Sequence, residues 1–557
     1  MNHSPLSSNV SRAALAMTFS AFFALVARAQ DNLDFDPSGN SNTLGGSGSF
    51  NTSDYYDSST STEVPGFTDG DNAYFDGAAG NVTVDAPVTA GYLEVNTGGD
   101  VTFGASNTTN AITIAGGPSY STAFSIDQTS GNVTFNAPVN FQLPTSTVYG
   151  IFGNSSATNT TFNAINFTGA ANNYPGTLRL SGTYTFNGAI ANNTASGGDD
   201  QGIDLESGTS TFTSTSSLGS GVFLALDGGT ALLQTSNLGS DPINADSGSL
   251  LTDVAGLNVT NTIQFGGIVG GATAAETTFS GNQAPYFGSE SFTAAAGGKV
   301  NFTGVVGTGG TVTFTKVGAG IVNFTNGGNT VGNGGTMEIQ NGTLLLNNTP
   351  GNGNALNNGT LTIDSVTPAA ATLTTPQITR ATLGGTGSTN SAVVAAGPNS
   401  TIAPGDMSIS GASSIGTLTL SNGLTASNGL TMDFVLDGEG TAAGQNNSLL
   451  IASSLTLSGT VTINLTALDA LLTGTGNDYT LFVDNDGSPI GTPTFDIVTP
   501  AGYALDKSYG DGAGYVYSGG AFSVQLMDAP EPSTYALFFG GLGLLVLISR
   551  FRGKLGA

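Results

Sequence analysis

Apolar and polar residues alternate in short runs along most of the chain. Runs such as Val133–Phe135, Leu178–Leu180 and Leu418–Leu420 place an apolar residue at every second position. Because successive side chains of a strand point to opposite faces, this alternation predicts half-buried β-strands. Long amphipathic helical patterns are missing between the two termini, so the pattern predicts an all-β fold.

The strand patterns share one motif, which is a glycine, a small polar residue and then an apolar-x-apolar run. Turn-forming pairs such as Asn-Gly, Gly-Gly and Asn-Asn separate the copies. Copies begin at Gly80, Gly99, Gly131, Gly176, Gly182, Gly298, Gly310, Gly335, Gly342, Gly359, Gly416 and Gly459.

A single strand of this length cannot bury enough apolar surface, whereas many stacked strands build one continuous apolar column. Inward Val, Leu, Ile and Phe would form the column, and outward Thr, Ser and Asn would coat it. The pattern therefore predicts a right-handed parallel β-helix, a solenoid rod, over residues 67–465. The motif is irregularly spaced, so a string of antiparallel sandwiches stays open as the alternative.

Composition restricts the partners of the chain. Charged residues make up 9% of the sequence and the formal net charge is −28, while 38% of residues are hydrophobic, which is not typical of disorder. A surface of one negative sign repels phosphates, so we expect no nucleic-acid partner.

Residue types also restrict the chemistry. The chain has no cysteine, and its one histidine, His3, lies in the N-terminal segment. Ser-His-Asp triads, Cys-His pairs and zinc sites with His or Cys ligands are thereby excluded from the region after it. We expect no catalytic residues, no metal and no cofactor, and therefore no enzyme.

Three acidic clusters keep an enzymatic alternative open, because parallel β-helices host polysaccharide lyases and glycoside hydrolases that use paired carboxylates. None matches a calcium-binding loop, and we interpret their acids as residues of solvated turns, although weak calcium binding stays open. Arg179 and Arg380 are interpreted as decoration of the outer face. The clusters are Asp69, Asp71 and Asp76; Asp199, Asp200, Asp204 and Glu206; and Asp484 and Asp486.

The N-terminal segment has the three parts of a secretory signal peptide, predicted over residues 1–29. A stretch ending at Arg12 precedes the apolar run 13–26, and Ala27 and Ala29 give the small-x-small pattern of a cleavage site. We expect a signal helix that is removed before Gln30 by the secretion machinery. An uncleaved membrane anchor is the alternative.

The C-terminal segment contains an uncharged apolar run at 534–549, followed by the cations Arg550, Arg552 and Lys554. As a helix the run would be about 24 Å long, slightly short for a bilayer, and the cations follow the positive-inside rule. It has no polar face to meet water, so we predict a single transmembrane helix rather than a buried helix of a soluble domain.

The C-terminal residues resemble the PEP-CTERM sorting signal, here residues 530–557. The resemblance rests on Pro530, Glu531, Pro532, Ser533 and Thr534, then the apolar run, then Arg550 and Arg552. It implies an exosortase-type sorting enzyme as partner and transient anchoring in the inner membrane. Removal of the segment would then leave the protein in the cell envelope, on the cell surface or in the extracellular matrix of a Gram-negative-type bacterium. It also implies exopolysaccharide as a candidate partner.

A second resemblance concerns residues 315–324 and 383–425, which look like autotransporter-associated β-strand repeats and imply a β-helical, passenger-like rod. Around it we place a Ser/Asn/Asp-rich leader at 30–66 and a tyrosine-rich C-terminal β cap at 466–529. The expected function is that of an exported, non-enzymatic protein with a structural or adhesive role. A carbohydrate-active β-helix enzyme, a lyase or hydrolase, is the alternative.

Overall fold

The chain divides into two compact units, Met1–Thr160 and Thr161–Ala557. The signal peptide with Ala27 and Ala29, the motif Pro530–Thr534, and Arg550 and Arg552 lie outside the described residues. A computed structural model describes residues 31–39, 44–115, 122–128, 130–142, 151–156, 159–168, 177–193, 201–264, 266–284, 289–307, 312–330, 335–348, 354–357, 359–364, 380–397, 399–410, 413–426, 429–529, 540–546 and 548.

The first unit consists of short strands. They are β1 (Asn32–Phe35), β2 (Gly48–Ser49), β3 (Asp54–Asp57), β4 (Thr62–Pro65), β5 (Asn72–Gly77), β6 (Asn81–Val84), β7 (Val88–Ala90), β8 (Tyr92–Thr97), β9 (Val101–Ala105), β10 (Ile112–Ile114), β11 (Thr122–Ile126), β12 (Asn132–Phe135), β13 (Val139–Gln142) and β14 (Ile151–Ser155). Buried and accessible residues alternate in many of them, such as β5, β6 and β12.

Consecutive strands of this unit visit three sheets in turn. The strands β1, β5, β8, β11 and β14 are neighbours in one sheet, β2, β6, β9 and β12 follow one another in a second, and β7, β10 and β13 form a third. Within each sheet these pairs run parallel, as in Val101 opposite Val133 and Ile112 opposite Val139. One circuit of the chain therefore adds one strand to each sheet.

Strand β15 (Asn159–Phe162) spans the boundary between the units. The strands after it are β16 (Ile165–Thr168), β17 (Thr177–Ser181), β18 (Tyr184–Phe186), β19 (Ala189–Asn192), β20 (Gln201–Ser207), β21 (Thr209–Phe212), β22 (Ser217–Leu218), β23 (Val222–Leu226), β24 (Thr230–Leu233), β25 (Ile243–Asn244), β26 (Ser249–Thr252), β27 (Asn258–Val259), β28 (Ile263–Gln264), β29 (Gly267–Gly271), β30 (Glu276–Phe279), β31 (Gln283–Ala284), β32 (Ser289–Ala294), β33 (Lys299–Phe302), β34 (Thr313–Val317), β35 (Ile321–Phe324), β36 (Thr336–Ile339), β37 (Gly342–Leu346), β38 (Thr360–Ile363), β39 (Ala381–Gly385), β40 (Ser388–Thr389), β41 (Ala392–Ala395), β42 (Ser400–Pro404), β43 (Thr417–Leu420), β44 (Leu424–Ala426), β45 (Thr431–Leu436), β46 (Leu449–Ala452), β47 (Leu455–Leu457), β48 (Thr460–Ala467), β49 (Asp478–Asp484), β50 (Thr494–Val498), β51 (Tyr503–Leu505), β52 (Tyr515–Ser518) and β53 (Ala521–Asp528).

The second unit repeats this parallel stacking over longer sheets. One parallel ladder runs from β18 through β21, β24, β26, β29, β32, β34, β36, β38, β41 and β44 to β47. A ten-stranded sheet runs from β27 through β30, β33, β35, β37, β39, β42, β45 and β48 to β50. The third face holds β17, β20, β23, β25, β28 and β31, and isolated parallel bridges at Val306, Thr330 and Asn357 link it to β40.

This nearly all-β architecture with long parallel sheets is that of a parallel solenoid, so the predicted fold class is confirmed at that level. The alternative of antiparallel sandwiches is wrong for the described strands between β5 and β48, whose described ladders are parallel. Every motif copy that begins at a described glycine continues into a strand.

The glycine of the motif is explained by close approach between coils. A Cβ atom on the motif residue Gly80 would lie 2.3 Å from the backbone of Gly46, and one on Gly320, which directly precedes β35, would lie 2.1 Å from the carbonyl oxygen of Ala295. Real side chains do not tolerate such distances, so at these corners only glycine lets one coil rest on the next.

Aromatic side chains stack from coil to coil in the interior. The rings of Phe103 and Phe135 stack with centroids 4.8 Å apart, and those of Phe279 and Phe302 are 5.2 Å apart. All four are buried. Each buried Phe contributes about 1.5–3 kcal/mol of burial free energy, so the inward column is the main source of stability.

Antiparallel pairs occur near both ends of the described region. In the segment interpreted as a leader, β1 pairs antiparallel with β3 and parallel with β5, and Phe35, Phe50 and Tyr55 are fully buried. In the segment interpreted as a cap, β53 pairs antiparallel with β49, β51 and β52. The ladder of parallel coils therefore changes direction at β49.

The predicted transmembrane helix overlaps a short helical stretch. Residues 540–546 are helical, and the remaining residues of 534–549, apart from 548, lie outside the described part of the chain. Among the residues that the structure describes, no helix has both the length and the apolar character needed to cross a membrane.

Candidate functional site

The acidic cluster predicted around Asp76 is divided by the fold. Asp69 accepts a hydrogen bond from the Thr89 N–H at 2.8 Å, and Asp71, 2% exposed, accepts one from the Asp31 N–H. These two acids fix turns. Asp71 is buried, so the prediction of a solvated turn is wrong for this residue. Asp76 instead lies on the outer face of β5.

Asp76 belongs to a patch of tyrosines and carboxylates on the outer face of the first unit. The register places Asp34 beside Tyr74 and Tyr74 beside Glu94 in successive parallel strands. The rings of Tyr74 and Tyr92 have centroids 5.8 Å apart. We call Asp34, Tyr74, Asp76, Tyr92 and Glu94 the tyrosine–carboxylate patch.

The patch concentrates negative charge in partly buried surroundings. Burial, then the charges of Asp76 and Glu94, raise the pKa of Asp34 to about 6. Burial and Glu94 also raise the pKa of Asp76. The Tyr92 hydroxyl donates a hydrogen bond to Glu94 Oε2 at 3.0 Å, and burial raises its pKa. Burial, reinforced by mutual repulsion of the carboxylates, therefore favours proton uptake at mildly acidic pH.

The second predicted cluster is organised around Arg179. Its Nε lies 3.1 Å from Asp204 Oδ2, and its Nη2 lies 2.7 Å from Glu206 Oε1 and 3.6 Å from Asp227 Oδ2. Burial and Asp227 raise the pKa of Asp204 to about 6, against the lowering effect of Arg179. Asp199 and Asp200 lie outside the described residues. Arg179 thus holds three carboxylates together, while Arg380 is exposed as expected.

The third cluster forms a turn. Asp484, 2% exposed, accepts a hydrogen bond from the Asp486 N–H at 3.3 Å, and Asp486 accepts one from the Ser488 N–H at 2.7 Å. Burial raises the pKa of Asp484. Both acids hold the backbone between β49 and β50, which accounts for their spacing.

A polar site that the sequence did not indicate lies on the ten-stranded sheet. Lys299, on β33, donates from Nζ to Asp406 Oδ1 at 3.3 Å and to the Met407 carbonyl at 3.2 Å. Asn347 donates to the same Asp406 oxygen at 2.8 Å. Asp406 lies in the segment after β42, 107 residues from Lys299, so no local pattern links them.

Two ionisable residues point into the interior of the second unit. Lys316 is fully buried, and its Nζ donates to the carbonyls of Val317, Gly318 and Asn341 at 2.8 Å each. Burial lowers its pKa to about 7. Glu290 is 1% exposed with both carboxyl oxygens unpartnered, and burial raises its pKa to about 8. Both occupy inward positions of alternating strands, a signal that sequence reasoning missed.

Within the described ranges, no group of three or more acidic or histidine side chains could hold a metal ion. Carboxylates of the predicted clusters and of Asp406 are engaged by Arg179, Lys299, an asparagine amide and backbone N–H groups. The chain matches no family model, and a search of curated proteins returns no match.

Proposed function

We propose that this chain is an exported, non-enzymatic protein of the cell surface or extracellular matrix, with a structural or adhesive role. The carrying observation is the long stack of parallel strands, whose interior is apolar and whose outer face is polar. Stacked repeats of this kind present an extended surface, which a structural or adhesive role can use without a conformational change or a cofactor. The finer proposal is a right-handed coil, since parallel crossovers are right-handed in about 98% of cases.

Side-chain ladders on the outer face support a structural role. Asn323 donates to Asn301 at 2.8 Å, and Asn301 donates to Glu276 at 3.0 Å, one coil at a time. Asn464 donates in the same way to Asp433 at 2.7 Å. These bonds run along the stack and stabilise the register of neighbouring coils.

Export and sorting are proposed from the ends of the sequence. The signal-peptide pattern with Ala27 and Ala29 would direct the chain through the secretion machinery. The Pro530–Thr534 motif, the predicted membrane helix 534–549 and the cations Arg550 and Arg552 would bring it to an exosortase-type enzyme. The processed protein would then reside at the envelope or in matrix, with exopolysaccharide as partner.

Fractionation of the producing cells tests the matrix role. Digestion of the cell-surface polysaccharide should release the protein into the soluble fraction, whereas mock digestion should leave it with cells and matrix. Recovery of the protein in the cytoplasm, or equal release in both treatments, would refute the association.

A polysaccharide lyase or hydrolase is the second candidate, favoured by one observation. Asp204, with its pKa raised to about 6, lies beside Arg179 and Glu206, and an acid with such a pKa is suited to proton transfer. A panel of extracellular polysaccharides tests it. New reducing ends or unsaturated products that disappear in Asp204→Asn, and persist in the exposed control Glu439→Gln, would establish catalysis and refute the first proposal.

A further inference from the structure

The outer face of the ten-stranded sheet is covered in its middle. Strands of a neighbouring sheet, such as β36 and β38, alternate between buried and accessible residues, as expected for a face in water. In contrast, β35, β37, β39 and β42 are buried at every position. Thr343, Thr382 and Thr401, which lie on the outer face, are at most 9% exposed.

The segment that follows β42 lies against part of this face. Its residues 405–410 and 413–414, which we call the strap, include an antiparallel bridge between Met407 and Ser413. Asp406 bonds Asn347, next to β37, and Lys299 on β33. The strap therefore runs back across the coils that precede it.

A cavity of about 220 Å³ lies where the strap reaches β30 and β33. Its lining combines a buried cation, two carboxylates, two hydroxyls and one aliphatic side chain. These residues are Glu276, Lys299, Asp406, Ser408, Ile409 and Ser414.

The cavity is a built site, because a charged side chain is buried at its edge. Lys299 is 7% exposed, and its contacts with Asp406 and the Met407 carbonyl use two of the three N–H bonds of the ammonium. Glu276 accepts from Asn301 through Oε1, so its second oxygen remains available to a ligand. Ile409, 45% exposed, adds an apolar contact.

The lining defines the class of ligand. The two carboxylates would repel an anion, because the one cation that lines the cavity, Lys299, is already paired with Asp406. The net charge of −28 disfavours an anion further. A cation would meet the Lys299 ammonium. A neutral polyhydroxylated ring suits both the carboxylates and the ammonium, since its hydroxyls can donate to the former and accept from the latter. Its C–H face can pack on Ile409.

We propose that the cavity beneath the strap binds one neutral sugar unit. Glu276 and Asp406 would accept from its hydroxyls, and Lys299 would donate to them. The inference deepens the proposed matrix role by naming the sugar chemistry that the surface recognises, and it rests on that role only for its biological meaning.

Titration of the full chain with methyl pyranosides of glucose, galactose, mannose and N-acetylglucosamine tests it, read out by saturation-transfer NMR and calorimetry. At least one should bind, and glucuronate should bind more weakly. Glu276→Gln and Ile409→Ala should each weaken binding by about tenfold or more, which corresponds to about 1.4 kcal/mol. The matched controls Glu439→Gln and Val498→Ala, both at exposed positions of the same unit, should leave it unchanged.

Three results would overturn the inference. They are no binding of any neutral pyranoside at 50 mM or below, tighter binding of glucuronate, or unchanged binding in Glu276→Gln and Ile409→Ala. Because the measurement uses purified protein, it is independent of sorting: sugar binding by a chain that is never sorted refutes the matrix role alone. A chain that is sorted but binds no sugar refutes only the proposal of a sugar site in the cavity.

Discussion

Glu290 makes the stability of the second unit depend on pH in a predictable direction. It occupies an inward position of β32, with Gly267 opposite it in one neighbouring coil and Phe314 in the other. Neither neighbour offers a hydrogen bond, and both carboxyl oxygens are buried without a partner. Burial therefore raises its pKa from the usual 4.5 to about 8.

Proton linkage determines the direction in which the free energy of unfolding changes with pH. The folded chain keeps the Glu290 proton up to pH about 8, whereas the unfolded chain releases it near pH 4.5. Between these values the folded state binds more protons, so the free energy of unfolding falls as pH rises. The interval of about 3.5 pH units corresponds to about 5 kcal/mol.

Glu290→Gln isolates this contribution, because glutamine has the same shape and does not titrate. Urea unfolding of both proteins should be followed from pH 4.5 to 8.5. As the pH rises across this range, the free energy of unfolding of the variant should increase relative to that of the wild type by about 4–5 kcal/mol. The buried amide lowers the stability of the variant by about 1–3 kcal/mol at every pH, so only the change with pH is diagnostic.

Comparison with the variant also removes the effects of other groups. Burial raises the pKa of Asp204 and lowers that of Lys316, and both contributions are common to the two proteins. Glu439→Gln, at an exposed position, should track the wild type at every pH. Parallel curves for wild type and Glu290→Gln would refute the assignment of a buried, unpartnered carboxyl group.

Three further predictions concern the stack. Gly320→Ala should lower the free energy of unfolding by about 1–3 kcal/mol, because a Cβ atom would lie 2.1 Å from the Ala295 oxygen. Gly104→Ala, with nothing within 4 Å of the added Cβ atom, should leave the stability unchanged. Equal urea midpoints for the two variants would contradict the coil contact. Lys316→Met should cost about 1–3 kcal/mol in the same assay, because three buried carbonyls lose their donor, and no loss would show that water replaces the ammonium. Arg179→Ala should destabilise by about 2 kcal/mol at pH 7.5 and by less at pH 5, where Asp204 takes up a proton; an equal loss at both pH values would contradict the charge argument.

The strands and their stacking were predictable because they depend on local patterns. Alternation identifies a strand, and a glycine before it, as at Gly80 or Gly320, marks the corner where coils meet. The antiparallel strands β49 and β53 were not predicted, because their sequences alternate in the same way as those of parallel strands. Pairing direction depends on the connection between strands, which periodicity does not encode.

The polar sites were predictable only where their members are close in sequence. Asp204 and Glu206 were identified together, but Asp227 joins them through the next coil. Asp34 and Glu94 meet Asp76 for the same reason. Lys299 and Asp406 are brought together by a strap that crosses several coils, and no sequence period records that distance.

Mass spectrometry of both termini of the native protein, isolated separately from envelope and medium, tests the central proposal most directly. Export and sorting predict a chain that begins at or near Gln30 and ends at or near Pro530, with the run 534–549 removed. A chain that still ends at Ala557 in the membrane fraction would contradict sorting, and would instead indicate a membrane-anchored protein that faces the periplasm.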